Sequence, residues 1–305
     1  MHKPSIIVVG SSNTDMVIKS PYLPKPGETI LGGTFFMNAG GKGANQAVAA
    51  ARLGGNVSFI AKVGDDIFGK QAIDLFKKEG IDTTYVFTDA EYPSGVALIN
   101  VDDNGENCIV VASGANAALF KEDIEIAKEK IAKASIVLMQ LETPISTIEY
   151  VAAFAKANNV KVVLNPAPAA ALSDELLQNI NIITPNQHEA AMLTNTEVND
   201  IDSAKHAAKI LNGKGVETVI ITLGADGALL YEKDFFAEIT TPVVKAVDTT
   251  AAGDVFNGAL VVALSEGNSM KHAVEYACNA AAISVTRLGA QASAPYRNEV
   301  ASSVE

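Results

Sequence analysis

The segment AVDTTAAGDVFNGAL (246–260) places a carboxylate where an anion would be welcome. Ala251, Ala252 and Gly253 read as a small-residue turn into a helix, and the free N–H groups of such a turn attract anions. Yet Asp254 lies in that first turn. An acid there complements the helix dipole, and dipole placement alone would explain it. A second chemistry fits the same spacing: the turn holds a phosphoryl group while Asp254 takes a proton from the group that attacks it.

Other stretches carry weaker signals. In NAGGKGANQAVAAARLG (38–54), consecutive glycines lead into a helix with Lys42 and Asn45 at its start. Gly41 and Gly43 give the backbone freedom for a plain turn, or let it approach a polar ligand that Lys42 and Asn45 would bind. GSSNTD (10–15) follows an apolar run and offers Asn13 and Asp15, although Asn and Asp are common in turns for local reasons. Glu142 closes SIVLMQLE, either as the first solvated residue or as a cleft acid. Asn186 and Glu189 in TPNQHEA are three apart, on one helix face or simply in a well-placed first turn. TLGADGALL (222–230), with Thr222, Gly224, Ala225 and Gly227, is a glycine-punctuated turn. Two familiar nucleotide motifs fail. Gly41-Lys42 is followed by Gly43 and preceded by Phe36 where a P-loop needs its first Gly, and no G-x-G-x-x-G follows the first strand.

Elements able to position these residues alternate along the chain. SIIVV (5–9), VSFIAKV (57–63), SIVLMQL (135–141), VKVVLN (160–165), NIITP (181–185) and TVIITLG (218–224) are predicted strands. Helical patterns cover Ala44–Leu53, Phe68–Glu79, Glu122–Lys133, Thr147–Ala157 and Ser203–Leu211. Apolar strands without polar alternation belong in a sheet covered on both faces, so a doubly wound, mostly parallel α/β sheet is predicted. Two strand-like stretches lack helices: 14–38, interrupted by Pro and Gly, and 94–113, a hairpin around Asp103-Asn104-Gly105. They are assigned to a small appended sheet, a lid of residues 13–38 and 93–112 on an α/β domain of 1–12, 39–92 and 113–305. Val96 and Leu98 face one way and Ala97, Ile99 and Val101 the other, so a ligand or a second subunit is expected to cover the second face.

Bulk properties narrow the classes. The 305 residues carry a net charge of −12 with no basic block, which argues against nucleic-acid binding. Cys108 and Cys278 form neither a disulfide framework nor a zinc pattern, and the four histidines lack metal-ligand spacing. The apolar run in MHKPSIIVVG is too short for a signal peptide, and no run reaches transmembrane length, so a cytoplasmic protein is expected. The tail NEVASSVE (298–305) is expected to be loosely ordered.

The order and combination of the motifs are more specific than any one of them. NAGGKGANQAVAAARLG, DTTAAGDVFNG, SSNTD, MQLETP, NPAP, TPNQHE, TLGADG and VTRLGAQAS together resemble the ribokinase family of carbohydrate kinases, from Ile6 to about Pro295. The resemblance implies a three-layer α/β fold with a β-sheet lid, homodimers joined through their lids, and ATP-dependent phosphorylation of a small sugar, D-ribose at O5 being the first expectation. It implies a sugar site of Asn13, Asp15, Gly41, Lys42, Asn45 and Glu142, and Asp254 as the base. Backbone amides of Ala251, Ala252, Gly253 and Asp254 match the family's anion hole. Asn186, Thr222, Gly224, Ala225 and Gly227 match nucleotide positions, and Glu189 matches a residue associated with water-held Mg²⁺. A potassium ion is implied beside the anion hole, with Asp248, Thr250, Ser284, Arg287, Gly289 and Ser293 as ligands. Three positions depart from the wider pattern: Ala251 often is Gly, Cys278 stands where Asn or His often lies beside the adenine, and GADG lacks a common Ser.

Overall fold

The side-chain alternation of a strand explains the layers. In the computed structural model, which describes residues 4–301, the strand β1 (Ser5–Val9) is fully buried from Ile6 to Val9. Successive residues point to opposite faces, and they feed two different cores. Ile6 and Val8 pack into one, Ile7 and Val9 into the other.

From β1 the chain enters the lid through β2 (Asn13–Lys19) and β3 (Thr34–Gly40), then returns as α1 (Lys42–Arg52), β4 (Asn56–Gly64), α2 (Ile67–Lys78) and β5 (Asp82–Asp89). A second excursion makes β6 (Gly95–Val101) and β7 (Asn107–Ala112). Alternation then resumes with α3 (Lys121–Ala132), β8 (Ile136–Met139), α4 (Ile145–Ala157), β9 (Lys161–Leu164), α5 (Asp174–Gln178), β10 (Ile182–Ile183), α6 (Gln187–Thr194), α7 (Ile201–Gly213) and β11 (Thr218–Thr222). The strands β12 (Ala228–Glu232) and β13 (Phe235–Ile239) precede α8 (Ala252–Ser265), α9 (Met270–Ser284) and α10 (Arg297–Ala301). Helices α1, α2, α8 and α9 cover one face of the sheet, and α3 to α7 the other. No helix among the described residues is long and apolar enough to cross a membrane.

Nine strands of the described residues form the main sheet, in the order β13-β12-β11-β10-β9-β8-β1-β4-β5. Pairing is parallel from β5 to β11 and antiparallel from β11 to β13. The chain winds outward in both directions from β1, toward β4 on one side and β8 on the other. Ligands gather outside the carboxyl ends of strands at such a switch point, and those ends carry Gly10–Asn13 and Gln140–Glu142.

The lid is a four-stranded sheet, β3-β2-β6-β7, with the expected hairpin between β6 and β7. Strand β3 differs from the sequence reading by running on to Gly40, because Asn13 still pairs with Gly40 in the ladder. Register places Met16, Met37, Leu98 and Val110 on one face. That face is exposed, Leu98 at 54%, whereas Ala97 and Val17 on the other face are buried. Residues 298–301 of the tail lie in α10, a helix the expectation of loose order did not include; 302–305 fall outside the described residues.

Candidate active site

The glycine-rich start of α1 is shaped by the chain's own backbone. Gly41 has φ +89°, and a Cβ there would lie 2.7 Å from the Asn13 nitrogen. A Cβ on Gly43 would lie 2.5 Å from the Ser11 nitrogen. The two glycines therefore press the N-terminus of α1 onto the loop after β1. The contact is sealed by Ala44 N–H donating to the Ser11 carbonyl at 2.8 Å. It also gathers a carboxylate: the Lys42 N–H (2.9 Å) and the Ser11 hydroxyl both donate to Glu142 Oε2. Asn116 stitches the same loop, donating Nδ2 to Asn13 Oδ1 at 2.7 Å and accepting from Ser12 N–H at 2.8 Å.

Three acids and a lysine surround this point. Asp254 is 5% exposed. Asn45 Nδ2 donates to its Oδ2 and Gln46 Nε2 to its Oδ1, each at 2.9 Å. Burial raises the Asp254 pKa above the ordinary carboxylate value; the Lys42 ammonium and the two amide bonds work the other way. For Asp15, burial and then the charges of Glu142 and Asp254 raise the pKa to about 6. Burial works against the Lys42 ammonium, but Asp254, Glu142 and Glu189 more than offset it and hold its pKa above the ordinary value. The four polar residues expected at a sugar site, Asp15, Lys42, Asn45 and Glu142, thus converge on Asp254 from distant segments. Asn13 stands at the lid base.

Asp254 lies in the first turn of helix α8. Its leading residue, Ala251, is left-handed at φ +61°, an uncommon state for a residue with a Cβ. The N–H groups of Gly253 and Asp254 find no acceptor among the described residues. A Cβ on Gly253 would meet nothing within 4 Å. Gly253 instead borders a cleft of about 180 Å³, lined also by Lys42, Asn186, Glu189, Thr222, Ala252 and Asp254. A cradle with an open glycine and free N–H groups suits a phosphate.

The residues expected beside a nucleotide split. Asn186 caps α6 and Glu189 answers it: each side chain accepts from the other's N–H at 2.8 Å. The bland capping box and the cleft position therefore coexist. Burial raises the Glu189 pKa, opposed by the Asn186 N–H and the Lys42 charge. Thr222, Gly224 and Gly227 border an adjoining, more apolar cleft with Phe256, Cys278 and Ala281. Ala225 lies in the exposed turn between them, lining neither cleft. Burial, with a smaller effect from Glu275, pushes the Cys278 thiol up to about 12, so it serves as a small apolar wall.

Of the six residues expected around a monovalent cation, three are tied together. Asp248 accepts from Thr250 N–H and Gly289 N–H, both at 2.9 Å. Partial burial opposes ionisation of Asp248, but these bonds hold its pKa below the ordinary value. The hydroxyls of Ser284 and Ser293 are spent on the Ala281 and Ala290 carbonyls, and Arg287 pairs with Glu299. Backbone carbonyls and Asp248 are what remain for an ion. Among the described residues no group of three or more His, Cys, Asp or Glu could hold a metal.

The structure adds polar residues that the sequence reading did not name: Ser11, Gln46, Asn116, Gln140, Asn165, Thr184 and Asn257, all buried. A signal existed for Gln140. A lone amide inside the apolar run IVLMQL must find a buried partner, and it donates to Gln46.

Comparison with known proteins agrees with this geometry. A ribokinase of Haemophilus influenzae is 52% identical over 97% of this chain and 96% of its own length. The ribokinase of Thermotoga maritima superposes with a TM-score of 0.91 at 42% identity, covering 99% of both chains. A ribokinase of Arabidopsis thaliana solved with ribose and ATP gives a TM-score of 0.91 at 33% identity, over 99% of this chain and 98% of that one. The model of the pfkB family carbohydrate kinases matches residues 3–297, and this chain therefore belongs to that family.

Proposed function

We propose that the protein transfers the γ-phosphoryl group of ATP to O5 of D-ribose, giving D-ribose 5-phosphate. The observation that carries this reading is the position of Asp254. Its carboxylate is fixed by Asn45 and Gln46, while the free N–H groups of its own turn open onto the neighbouring cleft. A hydroxyl placed between the two meets a base on one side and an electrophile on the other.

Asp15, Lys42, Asn45 and Glu142 hold the sugar hydroxyls, with Gly41 and Asn13 shaping the floor and the lid edge. Asp254 orients the primary hydroxyl and accepts its proton. The N–H groups of Ala251, Gly253 and Asp254 steady the charge on the transferring group, while that of Ala252 donates to the Thr249 carbonyl; such charge stabilisation is how phosphoryl transfer is mainly accelerated. Asn186, Thr222, Gly224 and Gly227 border the nucleotide, with Ala225 in the exposed turn that joins the two glycines, and the base lies against the apolar wall of Cys278 and Ala281. Mg²⁺, arriving with ATP, supplies positive charge between phosphate oxygens. Glu189, buried on the same cleft as Asp254, would hold such an ion through water, adding negative charge beside the phosphate.

K⁺ binds where the Asp248 carboxylate meets the end of α9, whose last carbonyls carry the negative end of the helix dipole. Thr250, Ser284, Arg287, Gly289 and Ser293 offer backbone oxygens, suited to a hard cation. The lid, residues 13–38 and 93–112, closes over the sugar and keeps water from the phosphoryl group. Its exposed face of Met37, Leu98 and Val110 packs on a second copy, making a homodimer. The enzyme works in the cytoplasm. An assay of ADP release across D-ribose, deoxyribose, fructose and adenosine tests the reading: the highest kcat/KM is expected with ribose, and preference for another acceptor overturns it.

A further inference from the structure

Behind the carboxylate of Asp254 lies a chain of buried amides. Gln46 and Gln140 are both fully buried, so water does not replace either. Gln46 Nε2 donates to Asp254 Oδ1 at 2.9 Å and to Asn165 Oδ1 at 3.1 Å, which uses both of its N–H bonds. Its Oε1 accepts from Gln140 Nε2. That last bond fixes which way the Gln46 amide points. Turned over, it would set an NH₂ against the NH₂ of Gln140 and its oxygen against two acceptors.

Gln140 is itself held in one orientation. Its Oε1 has no partner and lies against Gly10, where a Cβ would come within 2.1 Å. Reversing Gln140 would bring oxygen to oxygen at Gln46. Beyond Gln46 the network continues: Asn165 Nδ2 donates to the Thr184 carbonyl, Thr184 Oγ1 to Asn257 Oδ1, and Asn257 Nδ2 to the Gly253 carbonyl. One buried chain thereby reaches both the carboxylate and the turn that faces the phosphate.

We propose that Gln46 and Gln140 are positioning residues for the phosphoryl transfer: Gln140 sets the orientation of Gln46, and Gln46 aims the Asp254 carboxylate at the acceptor hydroxyl. This rests on Asp254 being the base. The relay also favours the ionised carboxylate against the effect of burial, since a donated hydrogen bond favours the charged form. Four other charged groups act on Asp254: Lys42 from α1, Glu142 after β8, Asp15 from β2 and Glu189 from α6. None of them is altered by removing the relay. A purely structural role for two buried amides makes a different demand: stability falls and the chemistry of the folded enzyme stays the same.

The test compares Gln46→Met, Gln140→Met and the double variant, with Asp254→Asn as control. Each is measured for melting temperature, for KM of both substrates, and for kcat across pH. Gln46→Met is expected to lower kcat by about 10- to 100-fold, the scale of a misaligned reacting group. Both KM values stay within about threefold, and the acid limb of the kcat profile moves up by about half a unit or more. Gln140→Met moves both readings the same way by less. The double variant matches Gln46→Met alone, because Gln140 acts only through Gln46. If Asp254→Asn is inactive while both glutamine variants keep kcat and the acid limb, the relay is wrong and the base stands. If Asp254→Asn retains turnover, the base assignment falls and takes the relay with it. Should Gln46→Met fail to fold, Gln140→Met decides the relay by the same two readings.

Discussion

Asn45 and Asp254 are 209 positions apart in the chain and 2.9 Å apart in space. The bond joins the first turn of α1 to the first turn of α8, two helices of the same layer. A residue at a helix start can thus serve two masters: the dipole of its own helix and a partner on another.

Replacing Asp254 separates these roles. Asp254→Asn keeps the side-chain shape and removes the base. Turnover should fall by roughly 10²–10⁴-fold, with ribose and ATP still binding by calorimetry. Dipole placement alone calls for a stability loss on the order of 0.3–1 kcal/mol and normal turnover.

Gly253 opens a different contrast. Its φ is not in the left-handed region and an added Cβ meets no protein atom. Gly253→Ala should therefore hold or raise stability, by up to about 1 kcal/mol. The methyl group would occupy the phosphate cradle, so kcat/KM for ATP should fall at least tenfold. A melting curve and a kinetic assay on one preparation check both; unchanged kinetics would remove the cradle.

For Asp15 the sign is set by a raised pKa, about 6 against 3.8. The folded state holds this proton more tightly than the unfolded chain does, so stability falls as pH rises between about 4 and 6. Above pH 6 the charged side chain weighs on the fold, by on the order of 3 kcal/mol for a shift of about two units. Asp15→Asn should raise the melting temperature at pH 7 and lose that advantage near pH 4. Sugar affinity should drop in the same variant while ATP affinity stays. A flat difference in stability across pH would count against the raised pKa.

Exchange of sodium for potassium at fixed ionic strength probes the loop between Asp248 and Gly289. Turnover or nucleotide affinity should rise in potassium, and Asp248→Ala should abolish the response. Equal activity in every monovalent salt would dismiss the ion.

Leu98→Asp addresses the lid. A charge at the centre of an apolar face opposes its burial. Sedimentation should show a shift from dimer to monomer, with the α/β domain as thermally stable as before. A wild-type chain that sediments as a monomer would end the dimer reading.

The alternation of strands and helices was legible because burial on two faces leaves an unmistakable apolar run, as in Ile6 to Val9. Lys42, Asp15 and Glu142 each gave a weak signal alone, and only the order and combination of the motifs singled them out. Gln46 gave no signal, and Gln140 only that of a lone amide inside an apolar run. An amide carries no periodic signature, and its use depends on a partner 94 positions away. The glycines misled in one respect. Gly43 looked like room for a ligand, and the room is taken by the backbone at Gly10 and Ser11. Strand β5 also escaped notice, since Asp82 to Asp89 mixes polar and apolar residues at a sheet edge. Edge strands need no continuous apolar run.

The lid meets the domain at one end only. Asn13 pairs with both Gly40 and Gly95, and Val96 with Ala112, so all four strands enter or leave at the same edge. Mechanically that is a cantilever clamped at Asn13 by Asn116. Seven residues of β2 make a lever of about 23 Å. A tilt of about 10° then carries the far end through roughly 4 Å. Asp15 lies only two residues from the clamp and travels about a third as far. The mouth can gape while Asp15 stays almost still.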